Sequence, residues 1–106
     1  MDKKTFARME ARAAILKALA HPTRLFIVEE LSHGEKCVCE LTEMVGSDIS
    51  TLSKHLAILK NAGIIKDEKR GLRVWYSLSC PCVFGFLECA EAVLKENIAK
   101  QTELVG

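Results

Sequence analysis

The stretch Gly46-Ser47-Asp48-Ile49-Ser50-Thr51-Leu52-Ser53-Lys54-His55-Leu56-Ala57-Ile58-Leu59-Lys60-Asn61-Ala62-Gly63 decides the fold. Ile49, Leu52, Leu56 and Leu59 recur at the spacing that places them on one side of a helix from Ile49 to about Asn61, which predicts a single buried stripe. Ser50, Lys54, Ala57 and Asn61 fall on the opposite side. Gly46-Ser47-Asp48 reads as a tight turn in which Ser47 or Asp48 caps the helix, and Gly63 stops it. A helix that turns short hydroxyl and cationic side chains outward fits the width of a DNA major groove. The side chains it would offer to phosphates and base edges are Ser50, Thr51, Ser53, Lys54 and His55. Many ordinary surface helices share this pattern, so its context has to decide.

Downstream, Ile64 to Arg70 and Leu72 to Leu78 read as two strands around Gly71, with Val74, Tyr76 and Leu78 alternating against Arg73, Trp75 and Ser77. Lys69, Arg70 and Arg73 make the hairpin tip basic, placed to reach backbone phosphate or the minor groove. Upstream, a short helix from about Val38 to Val45 puts Val38, Leu41, Met44 and Val45 on one side. Short helix, reading helix and hairpin follow one another without long spacers. That order predicts a mainly α chain with a small β-hairpin, a winged helix-turn-helix, rather than a surface helix beside a basic turn.

The remaining segments are helical. Arg8 to Ala20 is rich in Ala and paired charges around Ile15, Leu16 and Leu19. His21-Pro22-Thr23 interrupts it, with Pro22 suited to the start of a second helix whose apolar face is Leu25, Phe26, Val28 and Leu31; Gly34 lies in the turn that ends it. From Cys82 to about Lys100, Phe84, Leu87, Ala90, Val93 or Leu94, and Ile98 recur near helical period, and Phe86 widens the apolar side. An aliphatic first helix and an aromatic-rich last helix exceed what one small core needs. They are expected to pair with their copies in a two-fold homodimer, which would set two reading helices against an inverted repeat.

At 106 residues the chain suits a single domain, 1–106, for which oligomerisation would enlarge a modest core. Fifteen Lys plus Arg against fourteen Asp plus Glu give a net charge of +1, so any attraction to a polyanion must be local. The N-terminus lacks a signal-type apolar core and no segment approaches about 18 uncharged apolar residues, so the expected location is cytoplasmic, with no membrane partner.

The five cysteines are an odd number without a secretory signal, a usage that fits ligands or reactive thiols better than a disulfide scaffold. Cys37-Val38-Cys39 and Cys80-Pro81-Cys82 are both CxC pairs. Residues i and i+2 of a helix do not share a face, which argues against two inert core thiols at Cys37 and Cys39. Cys80 and Cys82 stand at a helix start, where free N–H groups would stabilise thiolate and lower their pKa. Cys89, among apolar neighbours, reads as a small buried hydrophobe. No CxxC, βαβ pattern or dinucleotide glycine motif surrounds these thiols, and His21, His33 and His55 assemble with no nucleophile, so an enzyme is not expected; His21 reads as a helix-junction residue, His33 as a turn residue and His55 as either a DNA contact or a packed boundary residue.

Taken together, His21-Pro22-Thr23-Arg24, Cys37-Val38-Cys39-Glu40-Leu41, Ser53-Lys54-His55-Leu56 with Leu59 and Asn61-Ala62-Gly63-Ile64, and the Arg70-Gly71 hairpin ending in Tyr76-Ser77-Leu78 resemble the ArsR/SmtB family of metal-responsive winged-helix repressors. The likeness runs over residues 10 to 80. It implies a homodimer that occupies operator DNA when free and leaves it when an inducer binds. It also implies DNA contacts from Ser50, Thr51, Ser53, Lys54 and His55, and matches Cys37 and Cys39 to the thiolate pair of the arsenic-, antimony- and cadmium/lead-sensing branches.

The chain departs from those branches in its third ligand. Where the arsenic-sensing branch has a further cysteine shortly after the pair, this chain has Thr42, and residues 1 to 36 contain none of the cysteines that the cadmium/lead branch adds. The Asp and His ligands of the zinc-sensing last-helix site are also missing after Tyr76, where Cys80, Cys82 and Cys89 stand. The expected inducer is therefore a soft ion, As(III) first, with Sb(III), Cd(II) or Pb(II) as alternatives. Its site would be Cys37 and Cys39 completed by Cys80 or Cys82, and no ion is expected to be needed for folding. Oxidation of the same thiols by an oxidant or reactive sulfur is the alternative sensing chemistry. A protein-interaction module that binds no DNA would leave the basic wing unexplained.

Overall fold

The computed structural model describes residues 1–105. In chain order the elements are α1 (Lys3–Leu19), α2 (Pro22–Ser32), β1 (Lys36–Cys37), α3 (Val38–Val45), α4 (Ile49–Asn61), β2 (Ile65–Arg70), β3 (Arg73–Leu78) and α5 (Val83–Val105). The helices of the expected helix-turn-helix, α3 and α4, and the hairpin β2–β3 follow in the predicted order. The strands start one residue later than expected, because Ile64 is spent in the cap of α4 and Leu72 in the hairpin loop.

Local chemistry fixes the ends of these elements. The Asp2 carboxylate accepts the Thr5 N–H at 2.7 Å, so α1 begins well before the expected Arg8. His21 caps α2 through Nδ1, which accepts the Thr23 N–H at 3.1 Å, with Pro22 in the first turn. Asp48 caps α4, accepting the Thr51 N–H at 2.7 Å. At the far end of α4, Gly63 takes φ +81°, its N–H donates to the Lys60 carbonyl and the Ile64 N–H donates to the Leu59 carbonyl. This pair of bonds is a Schellman closure, which needs a residue free to adopt the left-handed region. Gly71, at φ +62°, opens the two-residue loop that pairs Arg70 with Arg73.

The core is built from Leu19, Ile27, Val28, Leu31, Leu41, Leu52, Leu56, Leu59, Ile64 and Ile65, with Tyr76, Leu78, Val83 and Leu87 packed against it. Three expected faces are corrected by this core. Ile49 is 61% exposed, so the buried stripe of α4 is Leu52, Leu56 and Leu59 only; the first residue of the helix lies beyond the core's edge. On α2 the inward residues are Ile27, Val28 and Leu31, while Leu25 and Phe26 face out. Met44 on α3 is likewise exposed.

β1 was not legible as a strand and is short, yet it makes the sheet three-stranded in the order β1-β3-β2. Lys36 pairs with Tyr76 and Cys37 with Trp75, antiparallel. α5 packs through Val83 and Leu87 and then leaves the core, so Cys89, Val93, Leu94 and Ile98 are exposed. Cys89 is thus no core residue of the isolated chain. α1 exposes Phe6, Met9, Ile15 and Leu16 in the same way. The radius of gyration is 16.7 Å, against about 13 Å for a compact domain of ~100 residues. No helix among the described residues is long and apolar enough to cross a membrane.

Candidate DNA interface and thiol site

The face of α4 away from the core carries Ser50, Thr51, Ser53 and Lys54, all exposed. Asp48 shapes its beginning: besides the Thr51 N–H, the carboxylate accepts the Ser50 hydroxyl at 2.9 Å. The Thr51 N–H, then the Thr51 and Ser50 hydroxyls, hold the Asp48 carboxyl below its usual range. Lys60, at the other end of the helix, is tied to Asp67 of β2 at 3.0 Å, which fixes the wing against α4.

His55 sits differently from its neighbours. It is half-buried, its ring centroid lies 4.5 Å from that of His21, and its Nδ1 is 3.3 Å from an Arg24 guanidinium nitrogen. Arg24 also donates to the Ala18 carbonyl at 2.7 Å, so the three side chains join α4 to the α1–α2 junction. Burial first, then the positive charges of His21 and Arg24, push the His55 imidazole below its ordinary value. The geometry gives His55 a positioning role, locking the reading helix to the body of the protein. Of the two readings of His55, a DNA contact or a packed boundary residue, this placement matches the second; its partners His21 and Arg24, remote in the chain, were not legible.

On the wing, Lys69 and Arg73 are exposed, but Arg70 is already engaged. Its guanidinium donates to Glu35 at 2.6 and 3.0 Å and to Glu68 at 2.9 Å, and it lies 5.7 Å from the Trp75 ring centroid. These contacts hold the Glu35 carboxyl below, and the Arg70 guanidinium above, their ordinary ranges. Arg70 can meet a phosphate only by leaving or sharing Glu35. The signal absent from sequence was β1, which brings Glu35 alongside the wing.

The same short strand prepares the thiols. Cys37 is the last residue of β1 and the N-cap of α3, with extended backbone (φ −82°, ψ 161°), so the spacing rule for two helical residues does not apply to it. Its sulfur turns toward Cys39 and the two Sγ atoms are 2.6 Å apart. Cys37 is buried and Cys39 exposed. The hydrogen bond with Cys39, then burial, push the Cys37 thiol up, and an ion that takes its thiolate has to displace that proton.

Cys80 and Cys82, both exposed, have their Sγ atoms 3.2 Å apart. The expectation of helix-start thiols with lowered pKa fails at Cys80, whose thiol is pushed up, chiefly by its hydrogen bond with Cys82. The N–H groups that would stabilise a thiolate are occupied. Those of Val83, Phe84 and Gly85 donate to the carbonyls of Cys80, Pro81 and Cys82.

Each pair can supply two soft ligands. Among the described residues no cluster of three or more His, Cys, Asp or Glu side chains is arranged to hold a metal ion, so Cys80 and Cys82 do not complete Cys37 and Cys39 within one chain. The donor set fits two positions on a thiophilic ion and leaves a third open. Beside Cys37 and Cys39 lies a cavity of about 350 Å³, walled by Val38, Ile49, Leu72, Arg73 and Val74.

The family model for bacterial regulatory proteins of the arsR family matches residues 21–67. A cadmium resistance transcriptional regulatory protein CadC homolog of Staphylococcus aureus is 46% identical over 67 residues, 62% of this chain and 55% of that protein. The arsenical resistance operon repressor of Escherichia coli is 44% identical over 66 residues, 61% of this chain and 56% of the repressor. The chain thus spans about half the length of these two relatives. An uncharacterized HTH-type transcriptional regulator of Mycobacterium tuberculosis, Rv0081, is 36% identical over 95 residues, 89% of this chain and 83% of that protein. The crystal structure of Rv0081 superposes with a TM-score of 0.79 at 29% identity, covering 96% of this chain and 99% of that one. With helix-turn-helix, wing and thiol pair in place, the chain belongs to the ArsR/SmtB family of winged-helix, metal-responsive transcriptional regulators.

Proposed function

We propose that this chain is a homodimeric repressor that binds an operator inverted repeat and is released when a soft thiophilic ion, As(III) first, with Sb(III), Cd(II) or Pb(II) as alternatives, binds Cys37 and Cys39. The observation that carries the reading is the 2.6 Å approach of these two sulfurs in the first turn of α3, the helix that leads into α4. Cadmium and arsenical resistance regulators among the relatives support a soft ion. Exposed apolar side chains on α1 and α5, Phe6, Ile15, Leu16, Val93 and Ile98 among them, support a dimer built on those helices.

Drawing both thiolates onto one ion alters the junction of β1 with α3, where Cys37 is both strand end and N-cap, and through α3 the separation of the two reading helices. Release requires that the ion favour the DNA-incompetent geometry, since equal affinity for both shifts nothing. The remaining ligand comes from outside this arrangement, from Cys80 or Cys82 across the dimer, from solvent or from a small thiol. Ser50, Thr51, Ser53 and Lys54 read bases, while Lys69, Arg70 and Arg73 contribute salt-dependent phosphate affinity.

The test is operator binding by fluorescence anisotropy under anaerobic, reducing conditions. As(III) should release wild type and fail to release Cys37→Ser/Cys39→Ser; release retained in the double variant would refute the site. Lys54→Ala should change sequence preference, whereas Arg73→Ala should weaken all sequences alike and lower the salt slope by about 1. A redox reading draws on the same close sulfurs, and release by an oxidant alone, reversed by reductant, would favour it.

A further inference from the structure

Away from the thiols, two histidines meet at the joint that holds the reading helix. His21 closes the α1–α2 junction and His55 lies on α4, with ring centroids 4.5 Å apart. His55 Nδ1 is 3.3 Å from a guanidinium nitrogen of Arg24. A guanidinium only donates, so Nδ1 must accept and the imidazole is the neutral form with its hydrogen on Nε2. His21 Nδ1 already accepts the Thr23 N–H at 3.1 Å, so that atom is not free to receive a proton from its neighbour. Arg24 is anchored in turn, its Nε donating to the Ala18 carbonyl at 2.7 Å.

A second proton on His55 has one place to go, Nδ1, where it would point at the N–H of Arg24. Donor would face donor, and a new cation would stand beside a guanidinium in a half-buried site. The titratable and charged groups that act on the ring are His21 from the α1–α2 junction and Arg24 from α2, and both oppose a positive charge there; α1, α3 and β2, which also pack on α4, add none. None of the ion pairs among the described residues includes His55, so no carboxylate is at hand to receive the proton. An imidazolium is accommodated only by leaving the contact, which frees α4 from the α1–α2 junction. We propose that His21, Arg24 and His55 form a proton-released lock on the reading helix, and that uptake of a proton by His55 lowers operator recognition. This rests on the reading that α4 meets operator DNA. Burial, then the charges of His21 and Arg24, hold the imidazole below its ordinary 6.5, so the lock is complete above that value and is lost as pH falls through the lower value of the packed ring.

The experiment compares operator with scrambled duplex by anisotropy, at fixed ionic strength, between about pH 7.5 and about pH 5.5, a window in which ordinary carboxylates keep their charge. Each protomer that must shed a proton to bind lowers affinity by up to about ten-fold per pH unit. The wild-type preference for operator should therefore drop by about ten-fold across the window, while scrambled DNA, held by phosphate contacts alone, is bound no less tightly. His55→Asn sets an amide oxygen near the place of Nδ1 that cannot be protonated in this range, and its preference, whatever its size, should stay constant. Ring-proton NMR of wild type, with His55 assigned through its bonded backbone, reads the lock without any substitution: the midpoint should lie below 6.5 in the free protein and lower still with operator bound. A wild-type preference that does not change with pH, an equal acid loss in His55→Asn, or a His55 midpoint at or above 6.5 would each overturn the lock and leave the DNA reading standing. Absence of any operator preference at every pH would overturn both.

Discussion

Truncation of Ile49 and of Leu52 separates the periodicity of α4 from its packing. Both stand in the stripe that the spacing predicts, and a stripe buried throughout would make their losses similar. Leu52 is 0% exposed, whereas Ile49 is 61% exposed. Leu52→Ala removes side-chain volume from a closed core, for which about 2–5 kcal/mol is usual, the spread reflecting how far neighbours collapse into the space. Leu41, Leu56 and Leu59 around it are themselves 0–2% exposed, leaving little room for collapse, so about 3 kcal/mol is expected. Ile49→Ala removes surface already in water and should stay within about 0.5 kcal/mol. Urea unfolding at one fixed protein concentration, needed because a dimer's stability depends on it, should show a midpoint shift of about 1–2 M for Leu52→Ala and little for Ile49→Ala. A loss at Ile49 above about 2 kcal/mol would refute the placement of the core's edge.

Removing the α4 cap with Asp48→Ala should lower the melting temperature, and Asp48→Ser should restore most of it. Because the folded carboxyl titrates below its ordinary 3.8, this contribution is present above that value and is lost as pH falls through the lower folded one; the melting temperatures of wild type and Asp48→Ala should draw together only as pH falls below 3.8. His55 has the opposite protonation preference to a paired histidine, its folded pKa lying below 6.5, so wild type should lose stability as pH falls below 6.5. His55→Gln should flatten that part of the melting-temperature profile, and an unchanged profile would count against the His21–Arg24–His55 packing. Glu35→Gln frees Arg70 for phosphate and should tighten operator binding a few-fold while steepening its salt dependence; an unaltered slope in anisotropy titrations would show that Arg70 stays off the DNA.

Local signals carried most of the fold. Caps, turn glycines and the Leu52–Leu56–Leu59 spacing are short-range features, and α3 and α4 begin and end where these signals place them. The thiol pairs were also visible as spacing. What the sequence could not display depends on contacts between distant segments. β1 has neither the length nor the alternation that marks a strand and exists only because Tyr76 and Trp75 pair with it. From that pairing follow the cap position of Cys37, the closeness of its sulfur to Cys39, and the engagement of Arg70 by Glu35. The exposure of Cys89, read as buried, reflects the point at which α5 leaves the core, which helical periodicity does not encode.

β1 also joins the two proposed activities. Cys37 stands opposite Trp75 on β3, Arg70 lies over the Trp75 ring, and Glu35, which holds Arg70, is separated from Cys37 only by Lys36. A shift of Cys37 toward a ligand must therefore be accommodated by β1, which Glu35 immediately precedes, and by the wing residue opposite it. That route ends on an element that would touch DNA, so ligand and operator make opposing demands on one small set of residues. The coupling is reciprocal by thermodynamic necessity: whatever factor the ligand takes from operator affinity, the operator takes from ligand affinity. A residue such as Glu35, which touches neither arsenic nor phosphate on this reading, can then alter that factor by setting how firmly the wing is held before either partner arrives.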